Sequence, residues 1–192
     1  MYGYSSPLQG FGKFITGRSV LARLMVINIA VFLLINLVSL GMWLFRMSTA
    51  EGHQNILVNW MAVPASLPML MIKPWTLFTY MFTQENFFHL FFNMIVLYFG
   101  GQLFVQFLGS RRMLFTYIAG GLMGAAFYIA AYNIFTVFHD AVQDSLALGS
   151  SAAVLAILVA AATYYPNHSV MLFLLSIPNL FWLINILPVN DL

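Results

Sequence analysis

Four apolar runs, at about residues 24–45, 87–107, 113–135 and 148–164, decide most of what this chain can fold into. Each is near the length that crosses a bilayer's hydrocarbon, although the last is short if read alone. A soluble domain of 192 residues, 62% hydrophobic and only 6% charged, could not give its surface polar cover. Lipid is therefore the solvent, and the fold class is all-α: a polytopic transmembrane helical bundle. A fifth run, about 170–189, contains Pro178. Either one kinked helix spans there, or residues 169–177 lie along the interface and a helix starts at Pro178. The second arrangement leaves about fifteen residues, ~22 Å of helix, which is short for a crossing.

The basic residues orient the runs. Lys13, Arg18 and Arg23 precede the first run, and Arg111 and Arg112 separate the second from the third, so these segments hold five of the seven. The alternate side holds Arg46, Lys73 and all five acids: Glu51, Glu85, Asp140, Asp144 and Asp191. Lysine and arginine excess marks the cytoplasmic side, which puts the N-terminus inside and residues 46–86 outside. The net charge of +2 is too small to suggest nucleic acid. With no repeat, low-complexity tract or linker, residues 1–192 read as one membrane domain with a short cytoplasmic lead at 1–20. The first run is longer than a signal-peptide core and no A-x-A site follows it, so it is expected to stay as an anchor.

The external segment 46–86 is rich in apolar and aromatic residues and broken by Pro64, Pro68 and Pro74. Trp60, Trp75 and Tyr80 suit an interfacial belt. The segment is expected to lie partly embedded in the outer leaflet; the other reading is a buried loop packed on the bundle.

Polar residues inside the runs carry the functional signal. His89 and Asn93 stand four apart near the start of the second run, so a helix puts both on one face. Such groups are costly in lipid, and either an interhelical hydrogen bond or chemistry accounts for them. No H-E-x-x-H occurs, which removes the usual metal-dependent arrangement. Asp140 and Asp144 share a loop, so no carboxylate pair faces across the membrane. Paired halves with broken helices, expected of a transporter, are not visible, and the absence of cysteine excludes a thiolate nucleophile. Serine chemistry remains. Gly149-Ser150-Ser151-Ala152 opens the fourth run, at the same membrane face as His89 by the charge count. Taken alone, such residues at a helix start serve capping and close packing. Gly120 and Gly124, a G-x-x-x-G in the third run, read as contact points between helices.

Together these features resemble the rhomboid family of intramembrane serine proteases. The likeness runs from about Val26 to the C-terminus and is strongest over Trp75–Tyr165. Its carriers are PWTLFTYMF at 74–82, His89-x-x-x-Asn93, YFGGQ at 98–102, FLGSRRM at 107–113, IAGGLMGA at 118–125 and Gly149-x-Ser151. The resemblance implies that Ser151 is the nucleophile. His89 and Asn93, with the backbone N–H of Ser151, would hold the oxyanion, and Gly149 would allow close approach of the loop. It further implies transmembrane protein substrates, no metal or cofactor, and a bacterial inner membrane with the active-site face extracytoplasmic.

Three departures accompany it. Ala152 stands where many members have glycine, and Gln106 where many have glutamate. The family's general base is a histidine in an A-H-x-x-G setting on a sixth transmembrane helix. The sequence reaches Leu192 without one, so about five of six core helices are expected here. His168 would lie across the membrane from Ser151, ~20 Å away along the fourth helix, while His53 and His139 fall in loops. A serine without a positioned base is a weak nucleophile, so the 192-residue chain alone is expected to be inactive. The competing expectation is a rhomboid-like pseudoprotease that holds or escorts transmembrane clients without cutting them.

Overall fold

The computed structural model describes residues 19–45 and 56–164. His53, His168, Arg46 and the run at 170–189 lie outside the described residues. Helix α1 (Val20–Leu44) starts ahead of its apolar run because Ser19 caps it, the hydroxyl accepting from the Ala22 N–H at 3.1 Å. Two short helices, α2 (Ile56–Met61) and α3 (Leu67–Ile72), flank strand β1 (Val63–Pro64). Helix α4 (Thr76–Thr79) runs into a 3-10 turn at Tyr80–Phe82. The long helices α5 (Phe87–Leu108) and α6 (Ser110–Ile134) follow. A 3-10 turn at Thr136–Ala141 and strand β2 (Leu146–Ala147) then lead to α7 (Ser151–Tyr164).

Helices α1, α5 and α6 are long and apolar enough to cross a membrane, and α7 is a shorter apolar helix. The described residues thus form a helical membrane bundle, as the apolar runs predict. Helix α7 packs against both α5 and α6, and α1 lies against α5. On α5 the buried residues Leu90, Asn93, Met94, Leu97, Gly100, Gly101 and Phe104 form one helical stripe. Phe88, Phe91, Phe92 and Phe99 stay exposed, as lipid-facing side chains do.

Lipid tails are as apolar as leucine, so helices in a membrane associate through close packing and hydrogen bonds. The seam between α6 and α7 is built that way. A Cβ added at Gly120 would collide with the Ala156 methyl, and one at Gly124 with the Ala152 methyl. A Cβ at Gly101 would stand 2.6 Å from Leu21 Cδ1, which fixes how near α1 comes to α5. Gly109, at φ 84°, reverses the chain between α5 and α6 and leaves Arg111 and Arg112 exposed beyond the turn.

The segment before α5 is in part packed on the bundle and in part exposed. Ala62–Ser66 are buried on the bundle, and Thr76, Tyr80 and Met81 likewise. Helix α3 buries none of its side chains and exposes Leu67, Met69, Met71 and Ile72. The antiparallel pair β1–β2, in register Val63↔Ala147 and Pro64↔Leu146, has no counterpart among the sequence expectations. Two residues per strand give no alternation to read, and Pro64 argues against a strand except at an edge. A further bond from the Ala65 N–H to the Ser145 carbonyl at 3.1 Å extends the attachment.

Candidate active site

Helix α7 starts well inside the bundle. Ala152 faces Gly124, and the stretch from Gly124 to the end of α6 at Ile134 rises ~15 Å. The chain must therefore descend from the end of α6 to reach Ser151. That descending loop is held on two sides: β2 pairs with β1, and the Gly149 N–H donates to the Tyr80 carbonyl at 3.0 Å. Tyr80 is itself anchored, its hydroxyl donating to the Gly121 carbonyl. Burial pushes the Tyr80 phenol up from its ordinary value, so it stays a neutral donor.

Gly149 has φ 120°, a conformation that side-chain-bearing residues rarely adopt. A Cβ there would stand 3.1 Å from His89 Cε1 and 3.7 Å from its Nε2. The imidazole thus lies directly on the loop that leads to Ser151. His89 is held on its own helix by Asn86, whose side chain caps α5 by accepting from the His89 N–H at 3.1 Å. Its ring is exposed and makes no hydrogen bond among the described residues.

Asn93, one turn further along α5, is buried. Its Nδ2 donates to Gln84 Oε1 at 3.2 Å. Gln84 in turn donates from Nε2 to Ser150 Oγ at 3.0 Å and to Asn28 Oδ1 at 3.2 Å. Asn28 Nδ2 reaches the Leu24 carbonyl at 2.9 Å and Tyr117 Oη at 3.1 Å. The Tyr117 hydroxyl ends the relay on the Met81 carbonyl at 3.1 Å. Asn28, Gln84, Tyr117 and Ser150 are all completely buried. Burying so many polar groups is tolerable because each is paired.

The two serines of the loop end differ. Ser150 is buried and occupied, its Oγ accepting from Gln84 and its carbonyl from the Val154 N–H at 2.9 Å. Ser151 is partly exposed, with no hydrogen bond to its hydroxyl among the described residues. As the first residue of α7 it also carries a backbone N–H that helix geometry leaves unpaired, at the positive end of the helix dipole. His89 is thus brought against Gly149, and Asn93 is linked through Gln84 to Ser150, the two residues that precede Ser151 in the chain. Gly120 and Gly124 lie in the seam behind α7, Gly124 against Ala152, the residue after Ser151. His139 lies in the exposed 3-10 turn, outside this set of contacts.

A Rhomboid domain family model matches residues 72–190, more than half of the chain. The chain belongs to the rhomboid family. No curated protein and no solved structure matches it. Within this rhomboid, the Ala152 departure has a structural counterpart: its methyl rests on Gly124, which has no side chain to meet it. Gln106 is exposed on α5. The residues that sequence reasoning missed are Asn28, Gln84, Tyr117 and Ser150. Asn28 carried a usable signal, an amide inside an apolar run. Gln84, in a polar stretch before a helix, carried none.

Proposed function

We propose that this rhomboid is an intramembrane serine endopeptidase of transmembrane proteins, with Ser151 as its nucleophile. The observation that carries this reading is the convergence of two motifs distant in sequence. His89 lies on Gly149, and Asn93 is tied through Gln84 to Ser150, so both motifs reach the two residues that precede Ser151. Ser151 Oγ would add to the scissile carbonyl carbon while its proton passes to a base. The resemblance assigns that base to an A-H-x-x-G histidine, and no such motif occurs within these 192 residues.

Negative charge then grows on the carbonyl oxygen. An imidazole N–H of His89, the Asn93 amide and the Ser151 backbone N–H are the donors available to meet it. Fixed donors in a water-poor site stabilise that charge without reorganising, and each is worth ~10²–10³ in kcat. By the charge distribution, the N-terminus lies in the cytoplasm and the site opens to the opposite side. Substrates would be transmembrane segments entering from lipid.

The test is cleavage of a fluorescently labelled transmembrane peptide by the full-length protein in liposomes. Ser151→Ala is expected to abolish cleavage, and His89→Ala to lower kcat ~10²–10³-fold with the protein still folded. Undiminished cleavage by Ser151→Ala would remove the proposal. A wild-type protein that retains the peptide without cutting it would instead identify a client-binding pseudoprotease.

A further inference from the structure

Asn28, Gln84 and Tyr117 belong to none of the motifs that mark the site, yet their side chains run directly beneath it. The direction of every hydrogen bond in this relay is forced by groups that can only accept. The Tyr117 hydroxyl has one proton, which goes to the Met81 carbonyl. It must then accept from Asn28. The Leu24 carbonyl makes the same demand of Asn28. Both call for the Asn28 NH2 group, which turns Asn28 Oδ1 toward Gln84. Gln84 answers with Nε2, a group that also serves Ser150 Oγ. Only its Oε1 is left for Asn93, and Asn93 must meet it with Nδ2. One of the two Asn93 N–H donors is thereby tied down, and the other stays outside the relay.

We propose that Gln84 is a positioning residue for the oxyanion site: held by Asn28, it fixes which way the Asn93 amide is turned. Turned over, the amide would put Oδ1 where Nδ2 stands and offer a developing oxyanion a repelling oxygen in place of a donor. The same Gln84 amide grips Ser150, so one side chain sets the oxyanion donor and the residue before the nucleophile against each other. The two termini of an asparagine amide are nearly equal in shape, so packing alone discriminates poorly between its orientations. A hydrogen-bond relay ending on backbone carbonyls discriminates well. This inference rests on the reading of Asn93 as an oxyanion donor.

Two measurements on the full-length protein test it. The first follows deuterium exchange of asparagine side-chain amides by 15N–1H spectroscopy, with Asn93 assigned by its loss in Asn93→Ala. One slowly exchanging Nδ2 proton is expected in the wild type and none in Gln84→Leu. The second measures cleavage of the labelled transmembrane peptide. Gln84→Leu is expected to lower kcat ~10–100-fold, with KM changed less than about twofold, as for loss of a donor used only in the transition state. Asn28→Leu, which alters neither Asn93 nor Ser150, should lower kcat in the same manner but less.

Two rapidly exchanging Asn93 protons in the wild type would overturn the proposal. So would a folded Gln84→Leu that loses thermal stability but keeps the wild-type kcat. If Gln84→Leu does not fold, Asn28→Leu decides by the same readouts, and if neither folds, wild-type exchange decides. A wild type that never cleaves would sink the protease reading, while the exchange result would still settle the relay by itself.

Discussion

Ser150 and Ser151 are neighbours with the same side chain, and the fold gives them opposite surroundings. Ser150 is sealed in with its oxygens engaged, while Ser151 is partly exposed at the first turn of α7. Gly149 just before them combines a positive φ with the His89 ring lying against its Cα. Gly149→Ala must therefore strain the backbone and displace the imidazole together. It is expected to cost ~1–3 kcal/mol in stability, read as a lower melting temperature, and to cut peptide cleavage further than that loss explains. An unchanged melting temperature and cleavage rate would contradict this geometry. At this scale His89 and Asn93 are legible as polar residues inside an apolar run. Gly149 and Ser151, ordinary at a helix start, are singled out only by their combination with that pair and by the family resemblance. Gln84 and Tyr117 are hidden, since their importance lies in partners 56 and 36 residues away, Asn28 and Met81. Asn28 and Asn36 illustrate the limit within one helix. Both are amides in the same apolar run, but only Asn28 is buried; Asn36 is exposed and donates to the Phe32 carbonyl of its own helix.

Among the elements, the α6–α7 seam sets the position of the site. Gly120 and Gly124 on one helix receive the methyl groups of Ala156 and Ala152 on the other, so α7 cannot move outward or inward without collision or void. Gly124→Leu would wedge the start of α7 away from α6. Overpacking of this kind costs ~1–3 kcal/mol, and a drop in detergent melting temperature with loss of peptide cleavage is expected. A variant as stable and active as the wild type would show that the seam is looser than drawn. The span-length helices are legible in the apolar runs because lipid imposes length and composition on them. Helix α1 begins earlier than its run because a cap, not hydropathy, decides its start. The β1–β2 pair was not legible, because its partners are short, distant in sequence and defined only by the docked loop.

For the whole molecule, the charge distribution carries an expectation about sidedness. On the charge distribution we propose that the α5–α6 turn with Arg111 and Arg112 faces the cytoplasm, and the loop carrying Asp140 and Asp144 the other side. The sequence has no cysteine, so single-cysteine variants report sidedness without background. Asp144→Cys is expected to react with a membrane-impermeant maleimide applied outside intact cells, and Arg111→Cys only after permeabilisation. The reverse pattern would invert the topology. The central claim, that this rhomboid places a reactive serine at the head of α7, is tested most directly by phosphonate labelling. The full-length protein, treated with a serine-reactive phosphonate and analysed by mass spectrometry, should carry one adduct on Ser151 that disappears in Ser151→Ala. An adduct on Ser150, or a fully folded protein with no adduct at either serine, would contradict it.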